Sequence, residues 1–232
     1  MVELDHCQQA LNISFKDKSL LLQALSHSSY LNENQDFSLP SNERLEFIGD
    51  AVFGLVIAER LYSEFPEFDE GWLTAIRAYL VCQDTLAEVA SSLKLGDWFL
   101  MGKGEDASGG RRKQSNLASG LEALIGAIYL DQGLSRARKF IFKQIEPFLE
   151  RVKRGKVSLN YKALLQEFAQ REKMSLPVYR VAQVIGPDHD KRFTVEVMMD
   201  DKVIGVGTGK SKKAAEMEAS QLALAKVRCN HG

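Results

Sequence analysis

An apolar helical segment that carries acidic side chains constrains this chain more than any other feature. The apolar positions recur at steps of three and four residues, the spacing of one helix face: Leu45, Ile48, Val52 and Leu55. Glu43, Glu46 and Asp50 fall in the same segment at i, i+3 and i+7, so a helix stacks their carboxylates on one side. Carboxylates this close repel one another, and a divalent cation relieves the repulsion. Oxygen-only ligands favour magnesium or manganese.

The same acids have a second interpretation, a partly exposed helix face on which they pair with Arg44 or Arg60. The apolar flanks argue against a solvated face, but the spacing leaves both interpretations open. We expect the helix to run from residue 42 to about 63. Glycine inside a helix costs about 1 kcal/mol relative to alanine. We therefore predict that something packs close to the backbone at Gly49 and Gly54.

Length and composition allow a globular protein with one large or two modest domains. The chain has 232 residues, of which 45% are apolar and 26% charged. No apolar run reaches the roughly 18 residues of a membrane span, so we expect no membrane partner. The first twenty residues lack the unbroken apolar stretch of a secretory leader, and the three cysteines are widely separated. We therefore expect a cytoplasmic protein.

The formal net charge of −1 conceals a difference between the two parts of the chain. Residues up to Gly155 contain 17 Lys and Arg against 22 Asp and Glu, whereas the remainder contains 13 against 9. This asymmetry predicts a front domain that holds metal and a rear domain that binds a polyanion. The stretch 151–158 is basic and contains glycine. We predict domains at 1–150 and 159–229 with 151–158 as the linker.

A second apolar helix is expected from about residue 115 to 130. Glu122 is its only acid and lies inside the apolar tract, with Ser119 three residues earlier. Before it, residues 102–113 are rich in glycine and basic side chains. They lack the spacing of a P-loop and follow no clear strand, so we expect no nucleotide cofactor.

The rear part has a helix–strand–strand–strand–helix pattern. We predict helices at 161–171 and 211–227 and strands at 178–185, 193–199 and 203–208. Candidate nucleic-acid contacts fall in three places along it: Gln166 and Glu167 on the first helix, His189 in a loop, and Lys210, Ser211, Lys212 and Lys213 at the start of the last helix. Lysines at a helix N-terminus form a phosphate site, and short polar groups suit the shallow minor groove of A-form RNA. The alternative is a small α+β domain with a solvated lysine turn.

Two groups of residues carry a family resemblance. Residues 42–52, Asn-Glu-Arg-Leu-Glu-Phe-Ile-Gly-Asp-Ala-Val, resemble the signature of ribonuclease III, the double-strand-specific RNA endonuclease. Residues 186–189, 193–197 and 207–216 resemble the double-stranded-RNA-binding domain. The resemblance covers about residues 5–228. It implies a multidomain protein, an all-α ribonuclease III endonuclease domain followed by an α+β (α-β-β-β-α) RNA-binding domain. Such a protein acts as a homodimer on double-stranded RNA, precursors of ribosomal RNA among its substrates.

The resemblance also implies a site. Glu46, Asp50 and Glu122 would hold Mg²⁺, with Mn²⁺ as a substitute, and Asp50 and Glu122 would be catalytic. The products would carry 5′-phosphates. The chain departs from the family at Ser119, where an aspartate is usual. A neutral hydroxyl there predicts weaker metal binding and slower cleavage, with Ser119 holding a metal-bound water. The competing hypothesis is a double-stranded-RNA-binding protein with reduced or lost nuclease activity.

Four further residues have a family role and, for three of them, a simpler alternative. Phe47 would insert into the second subunit, or else be an ordinary core residue. Glu70 would lie near the catalytic cleft, or else stabilise the first turn of a helix for which Asp69 is a plausible N-cap. His27 matches a family box but is better explained as a hydrogen-bonded structural residue. Glu43 would be a supporting acid.

Overall fold

The computed structural model describes residues 3–154, 157, 159–187 and 190–229. Contacts divide the chain into two compact units. One unit comprises the chain up to Glu67 together with the part from Ile76 through the predicted linker region. The other comprises Phe68–Ala75 and the chain from Val157 onward. None of the described helices combines the length and apolarity needed to cross a lipid bilayer.

The first unit is built from helices. In chain order the helices are α1 (Leu4–Leu11), α2 (Lys18–Ala24), α3 (Ser28–Glu33), α4 (Glu43–Glu64), α5 (Glu70–Leu80), α6 (Gln83–Ser92), α7 (Lys103–Ala107), α8 (Gln114–Gln132) and α9 (Leu134–Lys153). Helix α5 begins in the segment that contacts assign to the second unit. The region 3–30 contributes to three of these helices. The glycine-rich segment 102–113 contains the short helix α7.

Helices α4 and α8 form the most extensive helix pair of the first unit. Two glycines allow this approach. A Cβ atom on Gly49 would lie 1.8 Å from the carbonyl oxygen of Glu122, and one on Gly126 would lie 2.2 Å from that of Leu45. The two backbones therefore touch. The prediction for Gly49 is confirmed, and the one for Gly54 is wrong, because a Cβ there would meet no atom within 4 Å.

The second unit contains a three-stranded antiparallel sheet and two helices. Its elements are α10 (Tyr161–Arg171), β1 (Val178–Ile185), β2 (Arg192–Met199), β3 (Lys202–Gly209) and α11 (Lys212–Cys229). The strand order is β1-β2-β3, with Tyr179 opposite Val197 and Val195 opposite Gly207. The buried face of β2 carries Val195 and Val197. The predicted α-β-β-β-α order is confirmed.

Small residues let α11 lie directly on β3. A Cβ on Gly205 would come within 2.4 Å of the Ala219 carbonyl oxygen, and one on Gly207 within 2.2 Å of the Ala219 nitrogen. Helix α10 is tied to α11 by Lys162, whose ammonium lies 2.7 Å from the Glu216 carboxylate. This packing fixes the two helices whose exposed sides carry the predicted RNA contacts.

Predicted helix boundaries are mostly close to those observed. The Asp69 carboxylate accepts a hydrogen bond from the Trp72 backbone N–H at 3.0 Å, and the Ser211 hydroxyl accepts one from Ala214 at 3.2 Å. The predicted N-cap at Asp69 is therefore confirmed, and Ser211 caps α11. Helix α9 continues to Lys153, so the first residues of the predicted linker are helical. Positions 155, 156 and 158 of that linker lie outside the described residues.

Candidate active site

The crossing of α4 and α8 brings the predicted acids together. Gly49 lies between Glu46 and Asp50 in the sequence, and it touches the backbone of Glu122. The contact of Gly49 with α8 therefore brings Glu122 to the part of α4 that carries the other two carboxylates. Glu122 and Glu46 are half-buried, whereas Asp50 is exposed. The acidic site consequently opens to solvent on one side.

The electrostatics of Glu122 reflect this convergence. Burial, reinforced by the charges of Asp50 and then Glu46, raises the pKa of its carboxyl from an ordinary 4.5 to about 7. The raised pKa means that the metal-free protein holds Glu122 in a place unfavourable to its charge. A bound cation would instead favour the charged form of the Glu122 carboxyl.

Ser119 lies within the same site. Its hydroxyl donates a hydrogen bond of 2.9 Å to Oε1 of Glu46. Ser119 is half-buried on α8, three residues before Glu122, and so faces α4 from the same side of the helix. The side chain that departs from the family pattern therefore contacts a predicted metal ligand.

These side chains suit magnesium or manganese. Carboxylate and hydroxyl oxygens are the donors that such hard cations prefer. Within the described part of the chain, no three His, Cys, Asp or Glu side chains form a ready-made cluster around one point. Magnesium is usually held by one or two carboxylates, several waters and substrate phosphates, so a closed protein cage is not required. The raised pKa of Glu122 follows from its burial and from the neighbouring carboxylates, a combination of charges that a cation would neutralise.

The competing ion-pair interpretation fails for Arg60. Its guanidinium lies 2.7 Å from Glu64 and 2.6 Å from Glu146, so it pairs with acids other than those of the site. Glu43 is exposed, and its supporting role stays a prediction. Glu70 is also exposed, in the first turn of α5, where negative charge favours the helix dipole. Its role near the cleft stays a prediction too.

His27 has a structural role at the start of α3. Its Nδ1 accepts a hydrogen bond from the Ser29 backbone N–H at 3.2 Å and caps α3. The Ser29 hydroxyl in turn accepts from Gly102 N–H at 3.0 Å. In the glycine-rich segment, the Arg111 guanidinium donates to the carbonyls of Gly96 and Phe99. These contacts connect the start of α3 to the start of α7, and the glycine-rich segment to the stretch that follows α6.

Phe47 is 79% exposed and is not part of the core. It begins an apolar stripe along one side of α4, with spacings of four, four, three and four residues. The stripe consists of Phe47, Ala51, Leu55, Ala58 and Tyr62. Leu55 is 50% and Tyr62 77% exposed. Contiguous exposed apolar surface of this kind is typical of a protein–protein interface.

The predicted RNA contacts of the second unit are exposed wherever the structure describes them. Gln166 and Glu167 lie on the solvent side of α10. The lysine cluster, defined as Lys210, Lys212 and Lys213, surrounds the first turn of α11 together with the capping Ser211. His189 lies outside the described residues.

Sequence reasoning missed two features of α8. Gly126 mirrors Gly49 on the facing helix, and a glycine inside an apolar helix was the signal that could have revealed it. Asp131, at the end of α8, accepts hydrogen bonds from the backbone N–H groups of Lys16 and Asp17 at 3.0 and 2.9 Å. That contact anchors the loop before α2 to α8, and no sequence pattern indicated it.

Comparisons with known proteins agree with this architecture. Residues 17–149 match the family described as ribonuclease-III-like, and residues 161–227 match the double-stranded RNA binding motif. The chain is 44% identical over 224 residues to ribonuclease 3 of Dehalococcoides mccartyi, covering 97% of this chain and 94% of that protein. Ribonuclease 3 of Pelotomaculum thermopropionicum is 45% identical over 225 residues, covering 95% and 93%.

A solved structure supports the same assignment for the first unit. The nuclease domain of ribonuclease III from Campylobacter jejuni, described for flexibility in the region involved in dimer formation, is 42% identical. The match has a TM-score of 0.57 and covers 63% of this chain and 97% of that one. Together with the helical unit, its converging carboxylates and the α-β-β-β-α unit, these matches establish that the chain belongs to the ribonuclease III family of double-strand-specific endoribonucleases.

Proposed function

We propose that Glu46, Asp50 and Glu122 hold Mg²⁺, or Mn²⁺ in its place, for hydrolysis of RNA phosphodiesters to 5′-phosphate ends. The observation that carries this proposal is the crossing at Gly49, which brings a half-buried Glu122 within reach of the charges of Asp50 and Glu46. When bound, the metal supplies Lewis acidity and lowers the pKa of water toward neutrality.

The protein residues contribute position and charge. The backbone contact between α4 and α8 fixes where the Glu122 carboxylate stands relative to Asp50 and Glu46, and pre-set geometry of this kind lowers the barrier of a hydrolysis. The exposed side of Asp50 leaves room for a bulky phosphodiester. Glu43 and Glu70 are proposed as supporting acids.

We propose that the second unit provides the contacts that bind duplex RNA. Exposed Gln166 and Glu167 are suited to the shallow minor groove, with His189 as a further contact. The lysine cluster adds positive charge to the N-terminus of α11, where the helix dipole already favours phosphate. Recognition of this kind depends on the shape of the duplex more than on its sequence.

Replacing all three residues of the lysine cluster with alanine is expected to weaken duplex RNA binding about 100-fold or more, at roughly 1 kcal/mol or more for each charged contact. The slope of log affinity against log salt should fall by about one for each lysine that contacts phosphate. Filter-binding titrations from low to physiological salt measure both quantities. Lys202→Ala is the matched control, because Lys202 begins β3 and lies roughly 25 Å along the strand from Lys210. Equal losses in the control and the cluster variant would contradict the assignment.

A homodimer is proposed through the α4 stripe. The relative from Campylobacter jejuni has a region involved in dimer formation. In this chain the stripe spans residues 47–62, about 22 Å of helix, with Phe47 as its most exposed aromatic ring. In a dimer with two-fold symmetry both subunits would present the same stripe to each other, so the interface would be self-complementary.

Phe47→Ala is expected to weaken dimerisation roughly 1000-fold. Each copy of a buried aromatic anchor contributes about 2 kcal/mol or more, and the symmetric interface contains two. Sedimentation velocity across a concentration series measures the shift from dimer to monomer. Leu130→Ala serves as the control, since Leu130 is 54% exposed on α8 and lies outside the stripe. A variant that sediments like the parent protein would exclude Phe47 from the interface.

The proposed natural substrates are structured RNAs in the cytoplasm, including precursors of ribosomal RNA. The proposed organisation is a nuclease domain at 1–150, a linker at 151–158 and an RNA-binding domain at 159–229. The alternative, an RNA-binding protein without nuclease activity, is not favoured, because all three carboxylates are present and converge.

The test is an incubation of the pure protein with a long RNA duplex over a titration of Mg²⁺ or Mn²⁺. Cleavage of the duplex to short products with 5′-phosphates is expected, with no cleavage in EDTA and little of single-stranded RNA of the same sequence. An intact duplex at every metal concentration, in a preparation that still binds it, would favour the alternative.

A further inference from the structure

Ser119 makes a hydrogen bond to which the proposed function assigns no role. Its hydroxyl donates its proton to Glu46 Oε1 at 2.9 Å. A serine hydroxyl has one proton to donate and lone pairs that accept. This proton is directed at a carboxylate, so the bond has the strength of a charge-assisted hydrogen bond.

The bond bridges the two helices of the site. Glu46 is on α4 and Ser119 is on α8, one turn before Glu122. Among the described residues, Ser119 is the hydrogen-bond partner that the structure gives to the Glu46 side chain. A long acidic side chain without such a partner would sample several rotamers and would repel Asp50 and Glu122 away from a common point.

We propose that Ser119 is a positioning residue, which orients the Glu46 carboxylate toward the metal that this site is proposed to hold. The inference rests on the proposed function and adds a role for the residue at which the chain departs from its family. Ser119 acts through Glu46 by a neutral donor, so it adds no negative charge to the metal-free site. A carboxylate at position 119 would do the opposite, since it would repel Glu46 until a cation arrived.

Two substitutions separate orientation from charge. Ser119→Ala removes the donor, and loss of a group that orients a metal ligand typically weakens metal affinity about 10- to 100-fold. Ser119→Asp adds a like charge at about 3 Å from Glu46, so it should lower the melting temperature in EDTA by several degrees. In saturating Mn²⁺ the same variant should gain more in melting temperature than the parent protein gains. Ser115→Ala, one turn earlier on α8, is the matched control.

The experiment measures Mn²⁺ binding to the full-length protein without RNA, by calorimetry or by the electron paramagnetic resonance of free Mn²⁺. Melting temperatures in EDTA are recorded for each variant. The expected result is at least tenfold weaker Mn²⁺ binding for Ser119→Ala, with Ser115→Ala binding Mn²⁺ like the parent protein. A merely structural serine would lower the melting temperature and leave the affinity of the folded protein unchanged, which would overturn the proposal.

Glu122→Gln distinguishes this failure from failure of the metal site itself. If the parent and Glu122→Gln bind Mn²⁺ equally, the proposed metal site is wrong, and the role of Ser119 falls with it. If Glu122→Gln loses binding while Ser119→Ala keeps it, the metal site stands and Ser119 is not a positioning residue.

Discussion

Gly49→Ala is expected to destabilise the first unit by about 3 kcal/mol or more, which is the upper range for inserting a methyl group into a packed interface. The added Cβ would lie 1.8 Å from the carbonyl oxygen of Glu122. Neither atom belongs to a side chain that can rotate away, so α4 and α8 must separate. Thermal unfolding should show a melting temperature lower by roughly 10 °C for a unit of this size.

The Gly49→Ala protein that remains folded should cleave duplex RNA more slowly than the parent protein. Separation of the helices moves Glu122 away from Glu46 and Asp50, and a displacement of about 1 Å at a catalytic site can cost about 100-fold in rate. Single-turnover cleavage at a temperature well below the unfolding transition measures this loss. The affinity for duplex RNA is measured on the same protein. It should be unchanged, because the double-stranded RNA binding motif lies in the other unit.

The control is Gly54→Ala on the same helix, where a Cβ meets no atom within 4 Å. Alanine is the better helix former by about 1 kcal/mol, so this variant should be as stable as the parent or slightly more so. Gly104→Ala on α7 is a second control with equally open surroundings, and it lies away from the α4 stripe. If Gly49→Ala and Gly54→Ala behaved alike, the close approach of α4 and α8 would be disproved.

Glu122→Gln is expected to reduce duplex cleavage about 1000-fold or more, equivalent to about 4 kcal/mol of lost transition-state stabilisation. The amide keeps the shape of the side chain and removes the charge through which it is proposed to hold the metal. Duplex RNA binding should be retained, because the proposed contacts lie in the second unit. Single-turnover cleavage and filter binding on the same preparation separate the two effects.

Stability provides an internal control for Glu122→Gln. The carboxyl of Glu122 has a higher pKa in the folded protein, about 7, than its ordinary 4.5. The stabilisation that this difference provides is present below pH 4.5 and is lost as the pH rises through 7. At pH 8 in EDTA the folded parent therefore carries an unfavourable charge, and the neutral amide should be more stable by on the order of 2 kcal/mol. A variant that unfolded at pH 8 would make its loss of cleavage uninformative about chemistry, and it would contradict the raised pKa.

Local patterns were enough to find most elements of the fold. The strands of the second unit and helix α10 lie at or within one or two residues of their predicted bounds, because alternation and helical spacing are properties of neighbouring residues. Local patterns do not show where one helix ends and the next begins. The segment after Glu70 forms two helices, separated at Val81 and Cys82, and residues 3–30 contribute to three. Only packing distinguishes one long helix from two short ones in these segments.

The sequence by itself supplied the candidates for the chemistry. Glu46, Asp50 and Glu122 are acids within apolar helical segments, where carboxylates that crowd together are costly unless a cation neutralises them. Tertiary structure alone decided that Gly49 touches α8 while Gly54 does not, that Phe47 is exposed, and that Ser119 donates its proton to Glu46. The physical reason is that spacing along one helix fixes the direction of a side chain, whereas contact between residues 73 positions apart depends on how two helices cross.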